Sequence, residues 1–101
     1  MNLPQEVINY YEYHFIRTTK DIDDNLCKLM LEKISTHNIV LNKPNHHFWY
    51  KFKCINCDKG LNEIVGSGGV GSDKSALKYN YDVILYNTLT CDEMIIKNIL
   101  E

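Results

Sequence analysis

The sequence predicts one α+β domain: two N-terminal helices, a three-stranded antiparallel meander with a short extra strand before it, and a C-terminal helix. Three observations carry this. Apolar residues recur at helical spacing at both ends of the chain. They alternate with period two in the middle. A length of 101 residues leaves room for one core only, so the domain is taken as residues 1–101.

Pro4 suits a first helical turn and Glu6 its positive end. Val7, Ile8, Tyr11 and Phe15 follow at helical spacing, giving a helix over residues 4–17. Residues 18–21 offer N-cap side chains. A second helix is expected over residues 20–35, with Ile22, Leu26, Leu29, Met30 and Ile34 on its apolar face. Asp21, Asp23 and Asp24 would then be first-turn charges matched to the helix dipole.

Ile39, Val40 and Leu41 form the short extra strand, and residues 42–45 a turn around Pro44. Residues 46–54 read as the longest strand. His46, Phe48, Tyr50, Phe52 and Cys54 share one face, and His47, Trp49, Lys51 and Lys53 share the other. Residues 61–65 read as the return strand and residues 76–87 as the third. Residues 66–75 hold four of the five glycines and read as a flexible connection. Thr90 caps the last helix, with Asp92 and Glu93 in its first turn and Met94, Ile95, Ile96, Ile99 and Leu100 as a wide apolar surface.

Composition excludes several functions. The formal charge is -2 and Arg17 is the lone arginine, so no global positive field favours nucleic acid and little bidentate base readout is available. No apolar run approaches the ~20 residues that span a bilayer. Residues 1–6 lack a basic flank and apolar stretch, so an intracellular protein with reduced thiols is expected. Asn and Ile each occur 11 times, the bias of an AT-rich genome such as that of a large DNA virus.

The chemistry is concentrated in the cysteines. Cys54 and Cys57 form a Cys-x-x-Cys turn, whose two thiolates can grip one tetrahedral ion. Gly60 supplies a residue tolerant of positive φ close by. A strand enters the turn and another leaves it, and the third strand returns Cys91 to the same end of the sheet at a helix start. This stretch resembles the first half of a zinc ribbon or treble clef. The resemblance covers about ten residues and implies a zinc knuckle, but a treble clef takes two ligands from its helix start and here there is Cys91 alone. Cys27, on the second helix, is the expected fourth ligand. His37 or His14 would instead complete a set of three cysteines and one histidine. His46 and His47 lie too far along a continuous strand. Against zinc stand free buried thiols, and a Cys54–Cys57 disulfide.

Residues 65–77, with Gly66, Gly71, Lys74 and Ser75, are similar to the phosphate-binding loop of small GTPases. Ser72 and Asp73 intervene between Gly71 and Lys74, which moves the lysine out of register and puts a carboxylate where phosphates would sit, so no nucleotide is expected. No paired acid and base or oriented nucleophile appears, so no enzyme is expected. The expected function is a zinc-stabilised binding or adaptor domain for a protein partner. One alternative is a single-stranded nucleic-acid module that uses His47, Trp49, Lys51 and Lys53 as a stacking and phosphate surface. The other is a metal-free viral factor docking a host protein.

Overall fold

The computed structural model describes residues 3–18, 25–66 and 74–101. It is α+β, and among the described residues it has six helical segments and one two-stranded antiparallel sheet. In chain order these are α1 (Gln5–Thr18), α2 (Asn25–Ser35), β1 (Ile39–Leu41), α3 (Phe48–Lys51), β2 (Phe52–Cys54), α4 (Leu61–Ile64), α5 (Lys74–Asn87) and α6 (Cys91–Leu100). None of the described helices is long and apolar enough to cross a membrane.

The two N-terminal helices, the short strand and the C-terminal helix follow the sequence pattern. Val7 and Tyr11 are buried on α1, and Leu26, Met30 and Ile34 on α2. Leu29 departs from the expected face and is exposed, with Leu31 buried in its stead. Asp21, Asp23, Asp24 and Ile22 lie outside the described residues. On α6, the Thr90 hydroxyl accepts the Glu93 N–H at 3.3 Å and the Glu93 carboxylate accepts the Thr90 N–H at 3.0 Å. This reciprocal cap satisfies two of the orphan donors at the helix start.

The three-stranded meander is corrected in each of its members. Residues 48–51 make a helical turn, leaving only Phe52–Cys54 of the long strand. Tertiary packing overrides strand propensity there: the Phe48 ring stacks on Tyr10 at 4.2 Å, and Trp49 sits edge-on to Tyr10 at 5.3 Å. Residues 61–64 also turn helically. Leu61 and Ile64, three apart, are both fully buried, and the Glu63 carboxylate accepts the Gly60 N–H at 3.1 Å. The third strand is α5, a 14-residue helix. Tyr81, Ile84 and Leu85 face the core at helical spacing, and 14 residues exceeds the usual strand length.

The sheet pairs β1 with β2 in the register Ile39↔Cys54, Val40↔Lys53 and Leu41↔Phe52. Beyond it the chain turns through residues 54–60, where the Cys54 carbonyl accepts the Asp58 N–H at 2.9 Å and the Cys54 N–H reaches the Lys59 carbonyl at 2.8 Å. The left-handed residue of this turn is Asp58, with φ 60°. Gly60 has φ -71° and precedes α4, so its expected role passes to Asp58, a residue type whose short polar side chain tolerates that conformation. Of the glycine-rich connection, residues 67–73 lie outside the described set. Gly66 itself is a site of close approach: a Cβ there would lie 2.3 Å from the Asn87 Cβ and 2.6 Å from the Asn87 carbonyl carbon.

Two outcomes follow for stability. Replacing Thr90 with Ala is expected to cost about 1 kcal/mol, the usual worth of an N-cap side chain, read as a lower urea midpoint. The Thr90 backbone N–H and hydroxyl hold the Glu93 carboxyl below its ordinary value. Its folded pKa is therefore lower than its unfolded one. The cap's contribution is fully present above the ordinary carboxylate range and fades as pH falls through the lowered value; urea titrations at stepped acid pH should show this slope flattened in Glu93→Gln.

Candidate metal centre

Four side chains from separate segments converge at one end of the sheet. His37 lies in the turn that ends α2, its N–H bonded to the Ile34 carbonyl at 3.0 Å. Cys54 closes β2, Cys57 follows in the turn, and Cys91 opens α6. The β1–β2 register explains the meeting. Pairing Ile39 with Cys54 brings Asn38 beside Ile55, whose N–H donates to the Asn38 carbonyl at 3.1 Å, and His37 stands one residue further on.

The four ligand atoms all lie within 4.8 Å of one another and all four residues are buried. Cys54 Sγ is 3.8 Å from Cys91 Sγ, and Cys57 Sγ is 3.5 Å from His37 Nδ1. The sulfur spacing is far beyond a disulfide bond of about 2.0 Å, and all four cysteines are free. The set can hold a metal ion.

The histidine is aimed by its backing. His37 Nε2 stands 2.8 Å from the Leu89 carbonyl oxygen. A carbonyl can only accept, so Nε2 carries the proton and donates it. The neutral ring then presents the Nδ1 lone pair to the thiols, the arrangement in which a ligating histidine is held by a carbonyl behind it.

The thiols are unequal. Burial opposes ionisation of Cys54, but hydrogen bonds to its sulfur, led by the Cys57 backbone and joined by the Asn56 and Asn38 backbones, outweigh it and lower its pKa to about 6. Burial pushes Cys57 up. Cys91 is pushed up to about 12, first by burial and then by the hydrogen bond to Cys54 and its negative charge. A helix start favours a thiolate, but burial and the Cys54 charge exceed that half-charge effect here. One thiolate is thus easily held and two more are disfavoured by crowding. A bound cation reverses that, since it favours every thiolate around it.

Three expected ligands, Cys54, Cys57 and Cys91, are in the centre. Cys27 is not: it is half-buried on α2 against the core. His37 takes the place, as the three-cysteine, one-histidine alternative has it. The His14 side chain lies outside the described residues. His46 and His47 are exposed and outside the centre, although the strand that was to separate them from it is broken.

The proposed aromatic and basic strand face does not form. With residues 48–51 helical, His47, Trp49, Lys51 and Lys53 no longer alternate along one strand. Trp49 is half-buried against Tyr10, Tyr11 and Phe48. Lys51 pairs with Glu6 and Lys53 with Asp58, each at 2.9 Å.

Cys27→Ser is therefore expected to keep full metal content, and Cys57→Ser to lose it, in metal analysis of the purified variants. Trp49→Ala should cost at least about 1 kcal/mol of stability, the worth of one such ring pair, read as a lower urea midpoint. No protein-family model, curated protein or solved structure matches the chain.

Proposed function

We propose that the chain is a zinc-stapled, non-catalytic binding module for a protein partner. The observation that carries the zinc reading is the spacing of the four donors. A tetrahedral ion with Zn–S of about 2.3 Å and Zn–N of about 2.0–2.1 Å requires S–S edges of about 3.8 Å and S–N edges of about 3.6 Å. One such edge of each kind is met, Cys54 Sγ to Cys91 Sγ at 3.8 Å and Cys57 Sγ to His37 Nδ1 at 3.5 Å, and all four donor atoms lie within 4.8 Å of one another. Three soft thiolates and one imidazole suit zinc over magnesium or calcium, which take oxygen ligands.

Four protein ligands close the coordination shell, and a closed shell is structural: catalytic zinc keeps one position for water or substrate. The turn with Cys54 and Cys57, followed by a helix opening on Cys91, is treble-clef-like in this reading. His37 would supply, from the turn before β1, the ligand that a treble clef takes from its helix start.

The binding role is supported by what the domain leaves outside. Tyr50, Leu41 and Ile55 are more than half exposed, and Ile99 and Leu100 on α6 are 77% and 80% exposed. On α6, Ile99 and Leu100 are adjacent, and exposed apolar surface that is contiguous favours partner recognition. The single-stranded nucleic-acid reading is less favoured, because Trp49 is half-buried against Tyr10 and Lys51 and Lys53 are ion-paired.

The test is metal content. Protein purified without added metal should carry one equivalent of zinc, and His37→Ala and Cys54→Ser should carry none. A chelator strong enough to strip it should lower stability by about 4 kcal/mol relative to zinc at a thousandfold over its Kd, read as a fall in Tm. Well-folded protein that holds no metal and ignores the chelator would overturn the reading.

A further inference from the structure

We infer that Thr36 is a positioning residue of the metal centre, a hydroxyl that ties the backbone of one ligand, Cys91, to the helix end that carries another, His37; the inference rests on the zinc reading above. Thr36 immediately precedes His37. Its Oγ1 donates to the Lys33 carbonyl at 2.7 Å and accepts the Cys91 N–H at 3.0 Å. Both roles are forced, since the carbonyl can only accept and the amide can only donate.

The Cys91 N–H is one of the orphan donors of α6. The cap residue Thr90 spends its own hydroxyl on Glu93. The Cys91 donor is met from 55 residues away in sequence, by the segment that carries His37. The same two segments meet again where His37 Nε2 donates to the Leu89 carbonyl. Two hydrogen bonds thus run between residues 36–37 and residues 89–91. One fixes the histidine ring, and the other fixes the main chain from which the Cys91 thiol projects to 3.8 Å from Cys54 Sγ.

Removing the hydroxyl frees the Cys91 backbone to shift while deleting none of the four ligand side chains. Loss of such an outer contact around a metal typically weakens binding by about 10- to 100-fold. The valine substitution keeps the side-chain shape and deletes the acceptor.

The experiment uses the full chain as wild type, Thr36→Val, Thr36→Ser and Thr90→Ala. Zinc affinity is read by competition with a chromophoric chelator, and ligand geometry from the d–d absorption of the cobalt(II)-substituted protein. Thr36→Val should bind zinc about 10- to 100-fold more weakly and show displaced d–d bands. Thr36→Ser, which keeps the hydroxyl, should restore both. Thr90→Ala weakens the same helix start without touching the Thr36 contact, so it should lower stability and leave the d–d bands where they are. Wild-type bands in Thr36→Val, or displaced bands in Thr36→Ser or Thr90→Ala, would overturn the inference while the zinc reading stands. A wild type that binds neither metal would overturn both.

Discussion

Three thiols and one imidazole share a volume a few ångströms across, and nearly every feature of this small fold is arranged around that constraint. The four groups come from the end of α2, the end of β2, the turn beyond it and the start of α6. Buried together without a cation, the sulfurs would oppose one another's ionisation, as the opposite shifts of Cys54 and Cys91 show. A site of this charge is stable when one ion satisfies all its donors. The sheet alone has little strength: two strands of three residues are marginal without further packing. Its contribution is register, which sets His37 against the cysteine turn.

The remaining interior closes over the other side of that junction. Thr88, fully buried, donates to the Ile84 carbonyl at 2.7 Å and accepts the Gly66 N–H at 3.1 Å. Leu89 donates to the Ile64 carbonyl at 3.2 Å. The chain between α5 and α6 is thus held on both sides just before it supplies the Leu89 carbonyl and Cys91. The absent Cβ of Gly66 lets Asn87 approach closely enough for this. Helix α5, the junction and the centre form one continuous hydrogen-bonded unit.

Much of this was legible in the residues. The helices at both ends declared themselves by period and by the Thr90 cap, and Cys54 and Cys57 by their spacing; Cys91 was expected beside them on the strength of a third strand, and it reaches the cluster from the helix start after α5 instead. The meander was not legible, because short apolar runs fit both periods. Tyr81, Ile84 and Leu85 satisfy a helix as well as a strand, and Phe48 and Trp49 follow whatever surface their rings can cover. Two signals for helix were present, the length of residues 74–87 and Glu63 three residues after Gly60. The fourth ligand depended on register. Nothing local distinguishes His37 from Cys27, and only the pairing of Ile39 with Cys54 brings one of them to the turn.

The aromatic packing around Trp49 has a further consequence for how the domain can be watched. This is the single tryptophan of the chain, and it is packed on α1 by Tyr10 and Tyr11. It lies three residues before β2, whose last residue is the ligand Cys54. Its fluorescence reports whether α1 is seated, whereas the absorption of a coloured metal in the proposed centre would report whether the four donors are assembled. The two optical signals stand at either end of one short strand. Their transitions coincide only if the domain unfolds as a single cooperative unit, so an unmodified chain carries its own test of cooperativity.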